Sequence, residues 1–163
     1  MSEETLNTEA LVEELQVENL VEEPIAEPLS ELDQLIAKRM GNFTVNLALN
    51  DLKYLRNKLN DVTWNGPNEA YLQIMAVVAI SNEIRSFEKG ADVNARRQVS
   101  LPATTVESIN FFLSRVSGKG EEAAHRLFAV SMLLRPTMEE IKNLDSQISI
   151  MQNSEKIQQE SDK

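Results

Sequence analysis

The chain has 163 residues, contains no Cys, and carries a net charge of −10 at pH 7, with only five Gly and five Pro. The absence of Cys excludes a disulfide framework and thiolate chemistry, and the scarcity of turn residues favours a mainly helical domain over a loop-rich all-β fold. The longest apolar run covers residues 74–80, too short for a membrane span, and the acidic N-terminus is unlike a secretory signal. We therefore predict an intracellular, cytoplasmic protein that has no membrane segment.

The negative charge is concentrated in residues 1–31, which contain ten Glu and no Lys or Arg, whereas residues 32–163 hold sixteen acidic and sixteen basic side chains. We predict that residues 1–29 form an acidic arm that is disordered in isolation, because it has few apolar groups to bury. Two alternatives are a recognition helix that folds on a protein partner and an arm that screens a basic face of its own domain. The apolar side chains offered to a partner would be Leu11, Leu15 and Leu20.

A short helix is predicted next, and the ordered body begins with it. Ser30 is placed to cap its N-terminus, with Asp33 three residues later as the acid of a capping box. Gly41 is placed to end it.

A strand and two helices are predicted after Gly41. Residues 43–49 alternate between apolar and polar side chains, which is typical of a strand with one buried face. Asn50 is placed to cap a first helix, and Asn68 a second, longer apolar helix after a break at Asn65-Gly66-Pro67. Trp64 lies beside this break, where it either packs over the edge of the core or, if exposed, marks a contact site for a partner.

The same order of elements follows a second time. In the strand, Val99 and Leu101 point one way and the polar residues between them point the other way. Thr104 is placed to cap the first helix, and a glycine turn at residues 118–120 leads to a second helix that ends before Pro136.

The two patterns coincide when the first is shifted along the chain so that Val45 falls on Val99. The coinciding pairs occupy core, cap and turn positions: Val45 with Val99, Leu47 with Leu101, Asn50 with Thr104, Leu52 with Val106, Leu55 with Ile109, Leu59 with Leu113, and Gly66 with Gly120. We predict a pseudo-symmetric pair of strand-helix-helix units, residues 43–88 and 97–134, with strands 43–49 and 97–103 paired antiparallel. The alternative interpretation is chance similarity between two amphipathic segments.

A ribbon formed between two strand-helix-helix units resembles the ribbon-helix-helix family. The residues that carry the resemblance are Arg97-Gln98-Val99-Ser100-Leu101-Pro102, Ile109, Phe112 and the turn at Gly118. Family members usually supply one unit per chain and form dimers, whereas both units would be fused here. In that family the outward side chains of the ribbon enter the DNA major groove. The resemblance thus implies a nucleic-acid-binding set: Thr44, Asn46, Arg96, Arg97, Gln98 and Ser100.

The charge of the body is small for a DNA-binding protein. Residues 40–135 carry eleven basic and nine acidic groups, so phosphate binding would depend on clustering of the basic ones. Arg96 and Arg97, beside the ribbon, would be the phosphate contacts.

The C-terminal segment is predicted to form a separate helix over residues 136–152, with Pro136 in its first turn, followed by a frayed tail at residues 153–163. Its apolar side chains step by three, four and three residues, as in the seam of a short coiled coil. This seam either packs on the body or supports self-association: Ile141, Leu144, Ile148 and Met151.

No arrangement of residues in the sequence is typical of an enzyme. His125 is the only His, with no Cys or second His to complete a metal site. Glu121 and Glu122 open a helix, where carboxylates are favoured by the helix dipole. We therefore predict no catalytic residue, no metal and no cofactor.

These patterns predict a mainly α protein with a minor two-stranded β ribbon, whose body covers residues 30–135. The first functional hypothesis is a non-enzymatic regulatory or assembly-related protein that binds a protein partner through its acidic arm and helix faces. The second is a DNA-binding transcriptional regulator of the ribbon-helix-helix type. The third is a structural subunit of a larger assembly, and each hypothesis is compatible with a homo-oligomer.

Overall fold

The computed structural model describes residues 29–87 and 89–161, and these residues form a mainly helical domain with one small sheet. The predicted fold class is thereby confirmed at the level of a mainly α protein with a two-stranded ribbon. The predicted arm, with Leu11, Leu15 and Leu20, lies outside the described residues. The elements in chain order are α1 (Glu31–Met40), β1 (Asn42–Ala48), α2 (Leu49–Asp61), α3 (Pro67–Arg85), β2 (Arg96–Pro102), α4 (Ala103–Leu113) and α5 (Glu121–Ser161).

The ribbon is the antiparallel pair of β1 and β2, with Val45 directly opposite Val99. The predicted antiparallel pairing of the two strands is confirmed. One face of the ribbon is apolar and buried, which follows from the alternation of side chains along each strand. The buried side chains on this inner face are Phe43, Val45, Leu47, Val99 and Leu101.

A single hydrophobic core lies between the inner face of the ribbon and helices α2 to α5. The first helices after each strand, α2 and α4, contribute Leu55 and Ile109, and the longer helices α3 and α5 contribute Ile80 and Leu134, all fully buried. Burial of a large apolar side chain contributes about 1.5–3 kcal/mol, so the ribbon and the four helices stabilise one another through this shared core.

Helix α5 is continuous through Pro136, whereas the sequence predicts a break there and a tail that frays from residue 153. A proline inside a helix costs about 3 kcal/mol, because it removes one backbone hydrogen bond and crowds the preceding turn. The helix continues because it is anchored in the core on both sides, by Leu134 before the proline and by Ile141 after it.

Helix α1 begins as predicted. The Ser30 side chain accepts a hydrogen bond from the Asp33 backbone N–H at 3.1 Å, and Gly41 ends the helix. Arg39 fixes α1 to the body by donating to Asp145 in α5 and to Glu107 in α4, each at 2.6 Å. The hydrogen bond to Asp145 raises the pKa of Arg39 above its ordinary value.

The predicted caps of the helices after the strands are wrong. Helix α2 begins at Leu49, and its first turn is closed by Asp51, whose carboxylate accepts the Ala48 backbone N–H at 3.0 Å. Helix α4 begins at Ala103 without any side-chain cap, because the strand runs directly into the helix and leaves no separate cap position.

The predicted cap of α3 is also displaced. Gly66 occupies the N-cap position with a φ of 86°, and Pro67 follows in the first turn. A positive φ is readily adopted only by glycine, and proline is favoured in a first turn because its missing N–H would have no helical partner.

Candidate nucleic-acid interface

The second face of the ribbon is polar, and it points away from the core. Across this face Thr44 lies opposite Ser100, and Asn46 lies opposite Gln98. Asn42 extends the same face at one end and Arg96 at the other, because alternate residues of a strand share a side. We call these six residues the outer face: Asn42, Thr44, Asn46, Arg96, Gln98 and Ser100.

All six side chains of the outer face are exposed. Within the described residues none of them forms a side-chain hydrogen bond or an ion pair, so their donors and acceptors face solvent. The outer face is chemically divided along the ribbon. Hydroxyl groups meet at Thr44 and Ser100, whereas amide groups meet at Asn46 and Gln98, next to the guanidinium of Arg96.

Arg97 does not belong to the outer face. It lies opposite Leu47 on the inner side of the ribbon, where its guanidinium stacks on the Phe87 ring at 3.5 Å from the ring centroid. The same group donates to the Glu83 carbonyl at 3.3 Å and to the Ser86 hydroxyl. Arg97 therefore joins the end of α3 to β2, and the expectation that it meets a phosphate beside Arg96 does not fit its position.

The alternation of side chains along the strand indicates that Arg96 and Arg97 lie on opposite sides of the ribbon. Arg97 has the same parity as Val99 and Leu101, which were expected to point inward, so it belongs on their side. By the same parity Asn42 belongs with Thr44 and Asn46, and its place on the outer face was missed.

Helix α5 contacts β1 at one backbone group beside the outer face. Thr137 of α5 is buried and its hydroxyl donates to the Thr44 carbonyl at 3.3 Å. A carbonyl that already accepts a hydrogen bond is less available for pairing with another strand. The outer face itself offers side chains to a ligand.

The C-terminal seam packs mostly on the body. Ile141 and Leu144 are buried in the core, and Ile148 and Met151 are half-buried. The first two side chains are thus unavailable for self-association. Of the two predicted alternatives, packing on the body and self-association, these positions fit packing on the body.

The remaining residues singled out by the sequence lie at the surface. Trp64 is 52% exposed, which is the arrangement expected of a contact residue rather than of a core residue. His125 is exposed, with its Nε2 3.2 Å from a Glu121 carboxylate oxygen one helical turn away. Among the described residues no group of three or more His, Cys, Asp or Glu is arranged to hold a metal ion.

Comparison with known proteins yields no relative. The sequence matches no protein-family model, and no curated protein or solved structure is similar to it. None of the helices in the described part of the chain is both long and apolar enough to cross a membrane.

Proposed function

We propose that this chain is a non-enzymatic DNA-binding regulator, built as a fused pair of ribbon-helix-helix-like units, that reads duplex DNA with the outer face of its ribbon. The single observation that carries the proposal is this face, an exposed and unpartnered set of amide, hydroxyl and guanidinium groups on a two-stranded antiparallel ribbon. The major groove of B-DNA admits such a ribbon.

The register of the ribbon supports the duplication. The shift that brings Leu55 onto Ile109 assigns to each residue of β1 an equivalent residue in β2. If a twofold axis also relates the two units, the β1 residue on that axis must pair with its equivalent in β2. Val45 pairs with Val99, which is the residue that the same shift assigns to it. The next inward pairs, Phe43 with Leu101 and Leu47 with Arg97, are then exchanged by the same axis.

The buried positions support the duplication in the same way. Under the same shift, each buried apolar residue of α2 and α3 has a buried counterpart in α4 or α5: Leu52 and Val106, Leu55 and Ile109, Leu59 and Leu113, Ala76 and Val130, and Ile80 and Leu134. The turns agree as well, since Gly66 and Gly120 both have a φ near 90° directly before a long helix. A turn and a set of core positions that coincide under one shift are what a duplication predicts.

One pair of positions in contact between the units has equivalents that lie near each other under the same shift. Arg126 of α5 donates to Asp51 of α2 at 2.9 Å, and the equivalent positions, Leu72 of α3 and Thr105 of α4, line one surface groove. Both pairs of positions join the long helix of one unit to the first helix of the other, which is the relation that a twofold axis between the units would produce.

The chemistry of the outer face suits base recognition. Asn and Gln amides form paired hydrogen bonds with adenine, Arg prefers guanine, and Ser and Thr hydroxyls accept either base. The amide pair, Asn46 with Gln98, lies on one side of Val45 and Val99, and the hydroxyl pair lies on the other. We infer that the fused units read an asymmetric site, with adenine preferred under the amide side.

A salt series with random duplex DNA tests this function. Arg96 is the only cation on the outer face, so we expect weak non-specific binding, with a dissociation constant of about 10⁻⁴–10⁻⁶ M and a shallow salt slope of roughly −1 to −3 between about 50 and 200 mM salt. Arg96→Ala should reduce the slope by about one, and Gln98→Ala should cost about 1–3 kcal/mol on a selected sequence. The measurement is fluorescence anisotropy.

The matched controls for this series are Arg135→Ala and Gln147→Ala, which remove the same groups from exposed positions on α5. Both controls should bind DNA as the unaltered protein does. The DNA function is contradicted if the unaltered protein shows no binding at about 50 mM salt, or if Arg135→Ala weakens binding as much as Arg96→Ala does.

A second candidate function is the binding of a protein partner through the acidic arm and helix faces. The observation that favours it is the exposure of large apolar side chains outside the core, Phe128 at 65% and Trp64 at 52%. Aromatic side chains of this kind are frequent energetic centres of protein interfaces.

Affinity capture with purified protein variants tests this second candidate. A protein captured by the unaltered chain should be lost when Phe128→Ser or Trp64→Ser is introduced. Ile150→Ser is the control, because Ile150 is equally exposed but lies further along α5. Capture that is unchanged by the first two substitutions would argue against these side chains as the partner site.

A further inference from the structure

Helix α3 has a second apolar side, which faces away from the core. Its buried side consists of Gln73, Ala76 and Ile80. On the other side five exposed residues step by three, four, three and four, which is the spacing of a coiled-coil seam. We call these residues the α3 seam: Asn68, Tyr71, Met75, Val78 and Asn82.

The middle of the α3 seam is unusually apolar for a surface. Tyr71 is 62% exposed, Met75 and Val78 are each 47% exposed, and Ile74 beside them is 58% exposed. These side chains adjoin one another on a single helix, so they form a continuous patch rather than scattered surface residues. A patch of this kind on a folded domain marks an interaction site.

The charge around the seam indicates what can cover it. Residues 70–82 contain no charged side chain. Glu69, at the start of the helix, is already held by Arg115 at 2.6 Å, and this hydrogen bond lowers the pKa of Glu69. An uncharged surface does not repel an identical surface, and it offers no cations to an acidic ligand. The acidic arm, residues 1–29 with nine Glu, is therefore a poor match for the seam.

The order of polar and apolar side chains along the seam is the same in both directions. If two copies of α3 lie antiparallel about a twofold axis near Met75, Asn68 of one copy lies opposite Asn82 of the other, and Tyr71 opposite Val78. Polar amides then meet at both ends, and apolar side chains meet in the centre. A twofold contact requires this kind of self-complementarity.

A groove beside the seam supplies a place for the opposing side chains. It has a volume of about 260 Å³ and lies between α3 and α4, where it is lined by Leu72, Met75, Pro102 and Ser108 among others. Packing of helices requires side chains of one partner to enter depressions on the other. The seam and this groove together provide both elements.

We propose that a second copy of this chain covers the α3 seam, so that the protein forms a twofold dimer through antiparallel packing of α3 on α3. The proposal rests on the exposure, the lack of charge and the symmetric order of the seam, and it is independent of what the ribbon binds. One consequence is that a dimer carries two ribbons.

Sedimentation equilibrium of the full-length protein tests the dimer. The seam is small for a stable interface, so we expect a reversible dimer with a dissociation constant of about 10⁻⁶ M. Met75→Glu should raise this constant by about 100-fold, because the pairing buries a charge without a partner. Phe128→Glu is the control, since Phe128 is exposed on α5, and it should leave the constant unchanged.

Cysteine crosslinking tests the antiparallel geometry, because the chain has no native Cys. Met75→Cys places a thiol near the axis and should form a disulfide-linked dimer. Asn68→Cys alone should not, because two Asn68 positions are about 20 Å apart at 1.5 Å per residue, and a disulfide needs Cα atoms within about 7 Å. A mixture of Asn68→Cys and Asn82→Cys proteins should crosslink.

Three results would overturn the proposal. The first is a chain that stays monomeric at about 100 times the expected dissociation constant. The second is a dimer that is unaffected by Met75→Glu. The third is a monomer that dimerises only after L11S and L15S are introduced together, since the arm would then be the occupant of the seam. Circular dichroism of Met75→Glu should match the unaltered protein, so that loss of the dimer is not loss of the fold.

Discussion

Replacement of Phe112 by alanine is expected to lower the free energy of unfolding by about 3–5 kcal/mol, which is a large part of the stability of a domain of this size. Phe112 is fully buried and is the largest of the fully buried side chains in the described core. Its ring meets the Phe111 ring edge to face, with 5.1 Å between centroids. Alanine would remove the apolar contacts and leave a cavity that close-packed neighbours cannot fill.

The measurement is urea denaturation followed by circular dichroism. Phe128→Ala removes the same ring from a position that is 65% exposed, and it should change stability by no more than about 0.5 kcal/mol. Equal losses from Phe112→Ala and Phe128→Ala would contradict the described core.

Because the core is shared, urea denaturation should also show a single unfolding transition. Leu55 lies in the first unit and Ile109 in the second, and both are fully buried in one cluster. Leu55→Ala and Ile109→Ala should each shift a single cooperative transition, by about 2–5 kcal/mol. Two separate transitions would mean that the units fold independently, which the shared core does not allow.

Replacement of Asp51 by alanine is expected to be the most damaging change to a polar side chain, with a loss of about 2–3 kcal/mol. The Asp51 carboxylate is buried, where it accepts the Ala48 N–H at 3.0 Å and a hydrogen bond from Arg126 at 2.9 Å. Alanine would leave the buried N–H of Ala48 without an acceptor at the junction of β1 and α2, and it would release α5 from α2.

Two comparisons separate these roles of Asp51 in urea denaturation. Asp51→Asn keeps an oxygen for the Ala48 N–H and loses only the charge opposite Arg126, so its loss should be about 1 kcal/mol smaller than that of Asp51→Ala. Asp61→Ala removes an exposed carboxylate whose oxygen is 4.0 Å from Lys58, and it should be nearly neutral. If Asp61→Ala and Asp51→Ala were equally damaging, the buried cap would have no special importance.

Local patterns predicted the strands well. The alternation at residues 43–49 and 97–103 led to β1 and β2 within one residue, and also to their antiparallel pairing, because a strand with one buried face must lie on a core. Ser30 was also predicted as a cap, since the capping box is entirely local in sequence.

Features that depend on tertiary packing were missed. The sequence could not indicate that α5 would pass through Pro136, because that depends on core contacts on both sides of the proline. It could not reveal the α3 seam either, since an apolar helix with Met75 and Val78 is as consistent with burial as with exposure. Only the completed fold separates the buried side of such a helix from the exposed one.

The outer face was predicted in part. Thr44, Asn46, Gln98 and Ser100 follow from the alternation of the strands, and they lie together on one exposed side of the ribbon. What they bind is a proposal that depends on the resemblance to ribbon-helix-helix proteins and on the chemistry of their side chains.

NMR spectroscopy of the uniformly ¹⁵N-labelled full-length protein, titrated with a duplex DNA selected for binding, tests recognition by the ribbon most directly. Side-chain amide signals report base contacts at the groups proposed to make them. We expect the NH₂ signals of Asn46 and Gln98 to shift on addition of DNA, while the exposed amide of Gln147 on α5 stays in place. Shifts confined to other surfaces, or no shifts at about 50 mM salt, would contradict DNA recognition by the outer face.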